Sequence, residues 1–123
     1  MAENVETCLK TLAKEKGFIA AAVVDSDSGM ALGTIGGSDD FPIEVGAAAN
    51  TEVVLAKLRA AEALGLDDAI EDILITLTSQ YHLIRPMRDQ PTVFIYIALD
   101  RAQANLALAR RSVASTEEKL KLS

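Results

Sequence analysis

Asp25, Asp27 and Gly29 stand at alternate positions in the stretch VVDSDSG, directly after an apolar run. Carboxylates alternating ahead of a glycine are how a calcium loop begins. An EF-hand loop takes oxygen ligands at positions 1, 3 and 5, a glycine at 6 and a bidentate glutamate at 12. Counted from Asp25, those last three places hold Gly29, Met30 and Gly36. The flanks also read as strands, where an EF-hand needs helices. The same residues suit a tight turn. Asp and Ser bond their own backbone there, and Gly29 accepts a positive φ. The expectation is a hairpin turn that binds no metal.

Other reactive side chains are few. Cys8 is the only cysteine and His82 the only histidine, which removes an internal disulfide, multi-cysteine and multi-histidine metal sites, and a histidine triad. Cys8 is expected as a buried thiol. His82 is expected in a half-exposed structural role in the strand YHLIRPM. Gly33, Gly36 and Gly37 match no phosphate-loop pattern. Arg85 and Arg88 are assigned to surface pairing in preference to anion binding. Asp39 and Asp40 suit a loop or helix cap, and Asp67 and Asp68 a solvated loop. No two carboxylates are spaced as an acid–base pair. The chain is therefore expected to be no enzyme and to need no cofactor.

Composition narrows the class. The chain has 123 residues, half of them hydrophobic, and a net charge of −6. One domain over 1–123 is expected from that length. Nucleic acid is not an expected partner, because the twelve Lys and Arg are scattered and outnumbered. The apolar run Phe18 to Val24 is too short for a bilayer, which needs about 20 residues. The stretch MAENVETCLK has no apolar core of a signal peptide. A cytoplasmic chain without membrane insertion is expected.

The elements that must position these residues follow from periodicity. Residues 3–16 show helical spacing at Val5, Leu9 and Leu12, with Glu6 one turn before Lys10 and Gly17 as the stop. Residues 18–25 and 30–36 form a hairpin around Gly29. A long helix spans 42–64, with Pro42 in its first turn and Gly65 at its end. Strands follow at 72–78, 81–87 and 92–99. Asp100 and Gln103 resemble a capping box for a last helix with Ala102, Leu106, Ala109 and Val113 on its buried stripe. That helix continues, or is capped anew, at Ser115 and Glu118. The last strand carries Val93, Ile95, Ile97 and Leu99 on one face and Phe94, Tyr96 and Ala98 on the other. Both faces of the sheet must then be covered. The fold class is α+β: a three-layer α/β/α sandwich, α-β-β-α-β-β-β-α, with a five-stranded antiparallel sheet.

The long helix carries two apolar stripes, Ala47, Val54, Leu58, Ala61 and Ala49, Val53, Ala56, Ala60, Ala63, placed about 100° apart around its axis. One suffices to sit on the sheet. The second is nearly all alanine at heptad spacing, which lets another helix approach closely. The first and last helices are needed on the opposite face, so the expected occupant is a second copy of the chain. Ile73, Ile75 and Leu77 lie in the next strand, an edge candidate that is a liability unless paired. A homodimer through these eight residues would merge two sheets into one of ten strands.

At this point the chain resembles the roadblock family, named after a dynein light chain. The segments GFIAAAVVDSDSGMALG, VGAAANTEVVLAKLRAAEAL, EDILITLTSQYHLIRPM and VFIYIALDRAQANLALAR carry the resemblance by their order and spacing. It covers residues 3–113 and is nearest the bacterial stand-alone, MglB-like branch. It implies the same element order and a dimer through the middle helix and following strand. It also implies a platform for a Ras-like small GTPase such as MglA. In that branch one dimer raises its partner's hydrolysis rate by reshaping the GTPase's own site, without an inserted arginine. Carried onto this chain, the polar face Glu44, Glu52, Arg59 and Glu62 is the implied partner-binding surface, with Lys57 to the other side. Two rival expectations stand beside it. One is a scaffold or adaptor subunit that leaves hydrolysis unchanged. The other is a small-ligand sensor, which needs a pocket of convergent polar groups.

Overall fold

The structure, a computed structural model, describes residues 3–122, so residues 1, 2 and 123 of the expected domain lie outside it. The elements are α1 (Val5–Leu12), β1 (Phe18–Asp25), β2 (Met30–Gly36), α2 (Ile43–Ala63), β3 (Ile73–Thr76), β4 (Gln80–Pro86), β5 (Val93–Asp100) and α3 (Leu106–Lys119). The strands form one antiparallel sheet in the order β2-β1-β5-β4-β3. The expected element order and fold class hold.

The two-faced strands explain the layering. Val93, Ile95, Ile97 and Leu99 of β5 join Ala21 and Val23 of β1 beneath Cys8, Leu9 and Leu12 of α1 and Ala109 and Val113 of α3. Phe94, Tyr96 and Ala98 join Ala20, Ala22 and Val24 beneath Ile43, Ala47 and Val54 of α2. Cys8 is buried in the first layer, and burial pushes its thiol pKa up. Small residues in β1 leave α2 room to lie close, and Phe94 and Tyr96 fill what remains.

Several boundaries differ from expectation, each for a local reason. Helix α1 ends at Leu12, not at residue 16. Lys14 and Glu15 donate three residues back, to Thr11 and Leu12, as the chain tightens before Gly17 (φ 79°) drops it into β1. Pro42 is the N-cap of α2, just outside the first turn. At the other end Gly65 N–H donates to Glu62 and Leu66 N–H to Ala61, a Schellman motif with Gly65 at φ 70°. Strand β3 stops at Thr76, so Leu77 lies beyond the ladder.

The start of the last helix requires the largest correction. Asp100 is the final residue of β5, paired with Gln80, and its Oδ1 accepts from Ala102 N–H at 3.0 Å in a turn. Ala102 is exposed and lies on no buried stripe. The N-cap is Asn105, whose Oδ1 accepts from Leu108 N–H at 3.1 Å. The chain spends residues 101–104 climbing from the sheet to the helix layer before a helix can start. From Leu106 one helix runs through Ser115 and Glu118.

The two sheet edges are not alike. Between β1 and β2, Val23 faces Gly33 and Val24 faces Ala31, so Leu32 is an extra residue and β2 is bulged. Strand β3 pairs with β4 from Ile73 to Thr76 without a shift.

Candidate interaction surface

The VVDSDSG stretch is a turn held by its own aspartate. Gly29 N–H donates to Asp25 O at 2.8 Å, Asp27 N–H to Asp25 Oδ1 at 3.0 Å, and Ser28 Oγ to Asp25 Oδ2 at 3.3 Å. Gly29 has φ 74°. Among the described residues no group of three or more His, Cys, Asp or Glu is gathered as a metal site. No helix among them is long and apolar enough to cross a membrane.

Helix α2 holds the more informative surface. Ala47 and Val54 are buried, and Leu58 and Ala61 half-buried, on the sheet side. Asn50 and Thr51 also point inward, and each returns its hydrogen bond to its own helix, at Gly46 O (2.9 Å) and Ala47 O (3.2 Å). Those bonds remove the cost of placing polar groups there. Ala49, Ala56, Ala60 and Ala63 are exposed, and Val53 is half-buried. Taken at the helical repeat, the two stripes stand about 150° apart, wider than the expected angle. The alanine stripe therefore points away from the sheet's centre.

In β3, Ile73 and Ile75 pack half-buried on the α2 side of the sheet. Leu77 is exposed; its N–H donates to Gln80 O at 2.9 Å and its carbonyl accepts from Arg101 at 3.0 Å. Of the eight expected dimer residues, four alanines stand exposed along α2, Val53, Ile73 and Ile75 lie half-buried against the α2-side core, and Leu77 lies past the strand end. Glu44, Glu52, Arg59 and Glu62 are all exposed, and none makes an ion pair with a described residue. They form a band along one flank of the alanine stripe; Lys57 lies on the other flank, near Asp72 and Ile73.

Two side-chain networks escaped the sequence. The first underlies the N-terminal part of α2. His82 Nε2 meets Gln80 Oε1 at 2.8 Å, and Tyr96 Oη meets His82 Nδ1 at 3.3 Å. Gln80 Oε1 only accepts, so the network assigns the proton to Nε2 and leaves Nδ1 to accept from Tyr96. Phe41 stands edge-on to the imidazole at 5.9 Å. Burial pushes the His82 pKa down and the Tyr96 pKa up, with an Asn50 hydrogen bond to Tyr96 acting the other way. Above this network is a cavity of about 320 Å³ walled by Phe41, Val45, Gly46 and Ala49, with His82 and Tyr96 at its floor. A Cβ at Gly46 would lie 3.3 Å from the Tyr96 ring, a tight contact that a shift of the ring by a few tenths of an ångström would have to relieve.

The second network corrects the assignment of Arg85 to the surface. Arg85 Nε pairs with Glu117 Oε1 at 3.1 Å, the two side chains only 12% and 10% exposed. Glu117 Oε2 also accepts from Arg88 N–H at 3.3 Å. This contact ties the end of α3 to β4. Its partners lie far apart in sequence, and only the layer geometry joins them.

No protein-family model matches the sequence, and no curated protein matches it. Solved structures do match. Myxococcus xanthus MglB superposes with a TM-score of 0.81 at 14% identity, over 94% of this chain and 83% of that one. A Roadblock/LC7 domain from Streptomyces avermitilis gives 0.79 at 13% identity, over 94% and 93%. The gliding protein MglB of Thermus thermophilus gives 0.70 at 15% identity, over 93% and 88%. The helix–sheet–helix layering, the sheet order and these superpositions together identify the fold of this chain as the roadblock fold.

Proposed function

We propose that this chain is a non-catalytic regulator that acts as a homodimer and binds a Ras-like small GTPase of the MglA kind. The observation that carries the dimer is an exposed alanine stripe on α2 together with an unbulged β3 edge in one chain. Alanine permits close helix approach, and a regular free edge invites another strand. The GTPase follows from the roadblock resemblance, and the exposed, unpaired charges Glu44, Glu52, Arg59 and Glu62 supply groups that steer a charged partner. The buried polar side chains do not favour a small-ligand sensor. Among the described residues none lacks a hydrogen-bond partner, so the α2 cavity presents no idle buried group to a ligand.

The test is co-purification with an MglA-like GTPase loaded with GDP or with a GTP analogue, followed by turnover with and without this chain. Binding with faster hydrolysis supports regulation. Binding with unchanged hydrolysis supports the scaffold role. No binding in either nucleotide state removes the proposal.

A further inference from the structure

Helix α2 ends in an exposed leucine and begins beside a largely apolar cavity. Leu64 is 73% exposed, and Val45 at the cavity wall is 65% exposed. At the helical repeat Leu64 lies on the same side of the axis as Gly46, Val53 and Ala60. It therefore extends the alanine stripe, and does not fold back on its own sheet. Its neighbour Leu66, placed by the Schellman motif, turns instead toward Ala61.

Helix α2 is also self-complementary when reversed. Inversion about Ala56 sets Ala49 against Ala63 and brings Val53 beside Ala60. It brings Glu52 beside Arg59 of the other copy, and Arg59 beside the other Glu52. The two charges lie about 20° apart on the same flank of the stripe. A two-fold axis brings each flank against the same flank of its copy, so opposite charges meet twice, as interhelical pairs do in coiled coils. Parallel pairing about a two-fold would instead set each flank against the opposite flank of the copy, so Glu52 and Arg59 would not meet. In the antiparallel register Leu64 arrives at the level of Ala48 on the flank of Gly46 and Ala49, at the mouth of the cavity.

We infer that the cavity under the start of α2 is the receptor for Leu64 of a second copy, in an antiparallel α2 pair locked by reciprocal Glu52–Arg59 contacts. This rests on the homodimer proposed above. It adds what fills the cavity and a role between copies for two charges otherwise assigned to the GTPase. The cavity is thereby complete only in the pair, with an apolar side chain over the His82–Tyr96 floor.

Three measurements test it, all on the full chain by sedimentation equilibrium and oxidative cross-linking. Leu64→Ser weakens dimerisation by about tenfold, while Leu108→Ser, at another exposed leucine on the opposite layer, does not. Glu52→Arg and Arg59→Glu each weaken the dimer, and the double variant regains it. In a Cys8→Ser background, Ala49→Cys with Leu64→Cys joins two copies by disulfide. Within one chain those positions stand about 22 Å apart along the helix, beyond disulfide reach. A wild-type dimer indifferent to the Leu64 change, with no charge-swap rescue and no cross-link, overturns the inference and leaves the dimer standing. A wild-type chain that stays monomeric at tens of micromolar overturns both.

Discussion

Single residues carry their share of this fold through backbone angle or through proton placement. Gly29 occupies φ 74° with nothing near its Cβ position, so any substitution cost there is conformational and not steric. Gly29→Val should lose about 1–2 kcal/mol in urea unfolding. Asp25→Asn with Asp27→Asn should cost less, because asparagine keeps the accepting oxygen, and added calcium should leave the melting temperature unchanged. His82 gives a pH signature. Its folded pKa is pushed below the ordinary value by burial, so the unfolded chain takes the proton first as pH falls. The His82 contribution is then full above about pH 6.5 and declines as pH drops toward the depressed folded value. The stability advantage of wild type over His82→Gln should shrink between pH 7.5 and pH 5.5, measured by denaturant midpoints. A constant gap would refute the assigned protonation. Of these residues, Gly29 was legible because a turn is local. The partnership of His82 with Tyr96 was not, since it depends on how β4 registers against β5.

Elements were legible wherever period and face agreed. Strand β5 declared both its faces in order, and the helices on either side follow from that alone. The start of α3 misled because Asp100 and Gln103 have capping-box spacing. Asp100 does cap, but it caps a turn at a strand end that still has to reach the helix layer. Asn105 just before Leu106 was the available signal, an N-cap residue type immediately ahead of the periodic run. The assignment separates by mutation. Asn105→Ala should cost about 1 kcal/mol of stability, while Gln103→Ala should change the denaturation midpoint little. Arg85 with Glu117 shows the limit of sequence reading at this scale. Thirty-two positions separate them, and only the packing of α3 on the sheet makes a strand arginine and a helix glutamate neighbours.

At the scale of the molecule, the four alanines of the stripe are exposed in the single chain, and only Val53 among the stripe residues packs against its core. Fold and assembly should therefore separate. Ala56→Glu should leave the circular dichroism spectrum of the chain unchanged and shift its sedimentation from dimer to monomer, since two carboxylates would face each other at the centre of the pair. The same variant should lose GTPase binding if the platform requires both copies, whereas Glu44→Lys with Glu62→Lys should alter binding and leave the dimer intact. The stripe was visible in the sequence as spacing. The angle of about 150° between the stripes was also legible, since it follows from the helical repeat alone; the structure adds which stripe is buried.

The bulge at Leu32 has a consequence of its own for how many molecules can join. A sheet with two regular rims is a propagating unit, able to recruit at both ends without limit. Here one rim is kinked by an extra residue and the other is regular. A unit with one serviceable rim can be extended only once, and joining by a two-fold consumes that rim on both members. What then faces outward at each end is β2 again. In the homodimer proposed above, the asymmetry of the two rims acts as a stop that counts to two, and a fibre is not an expected product.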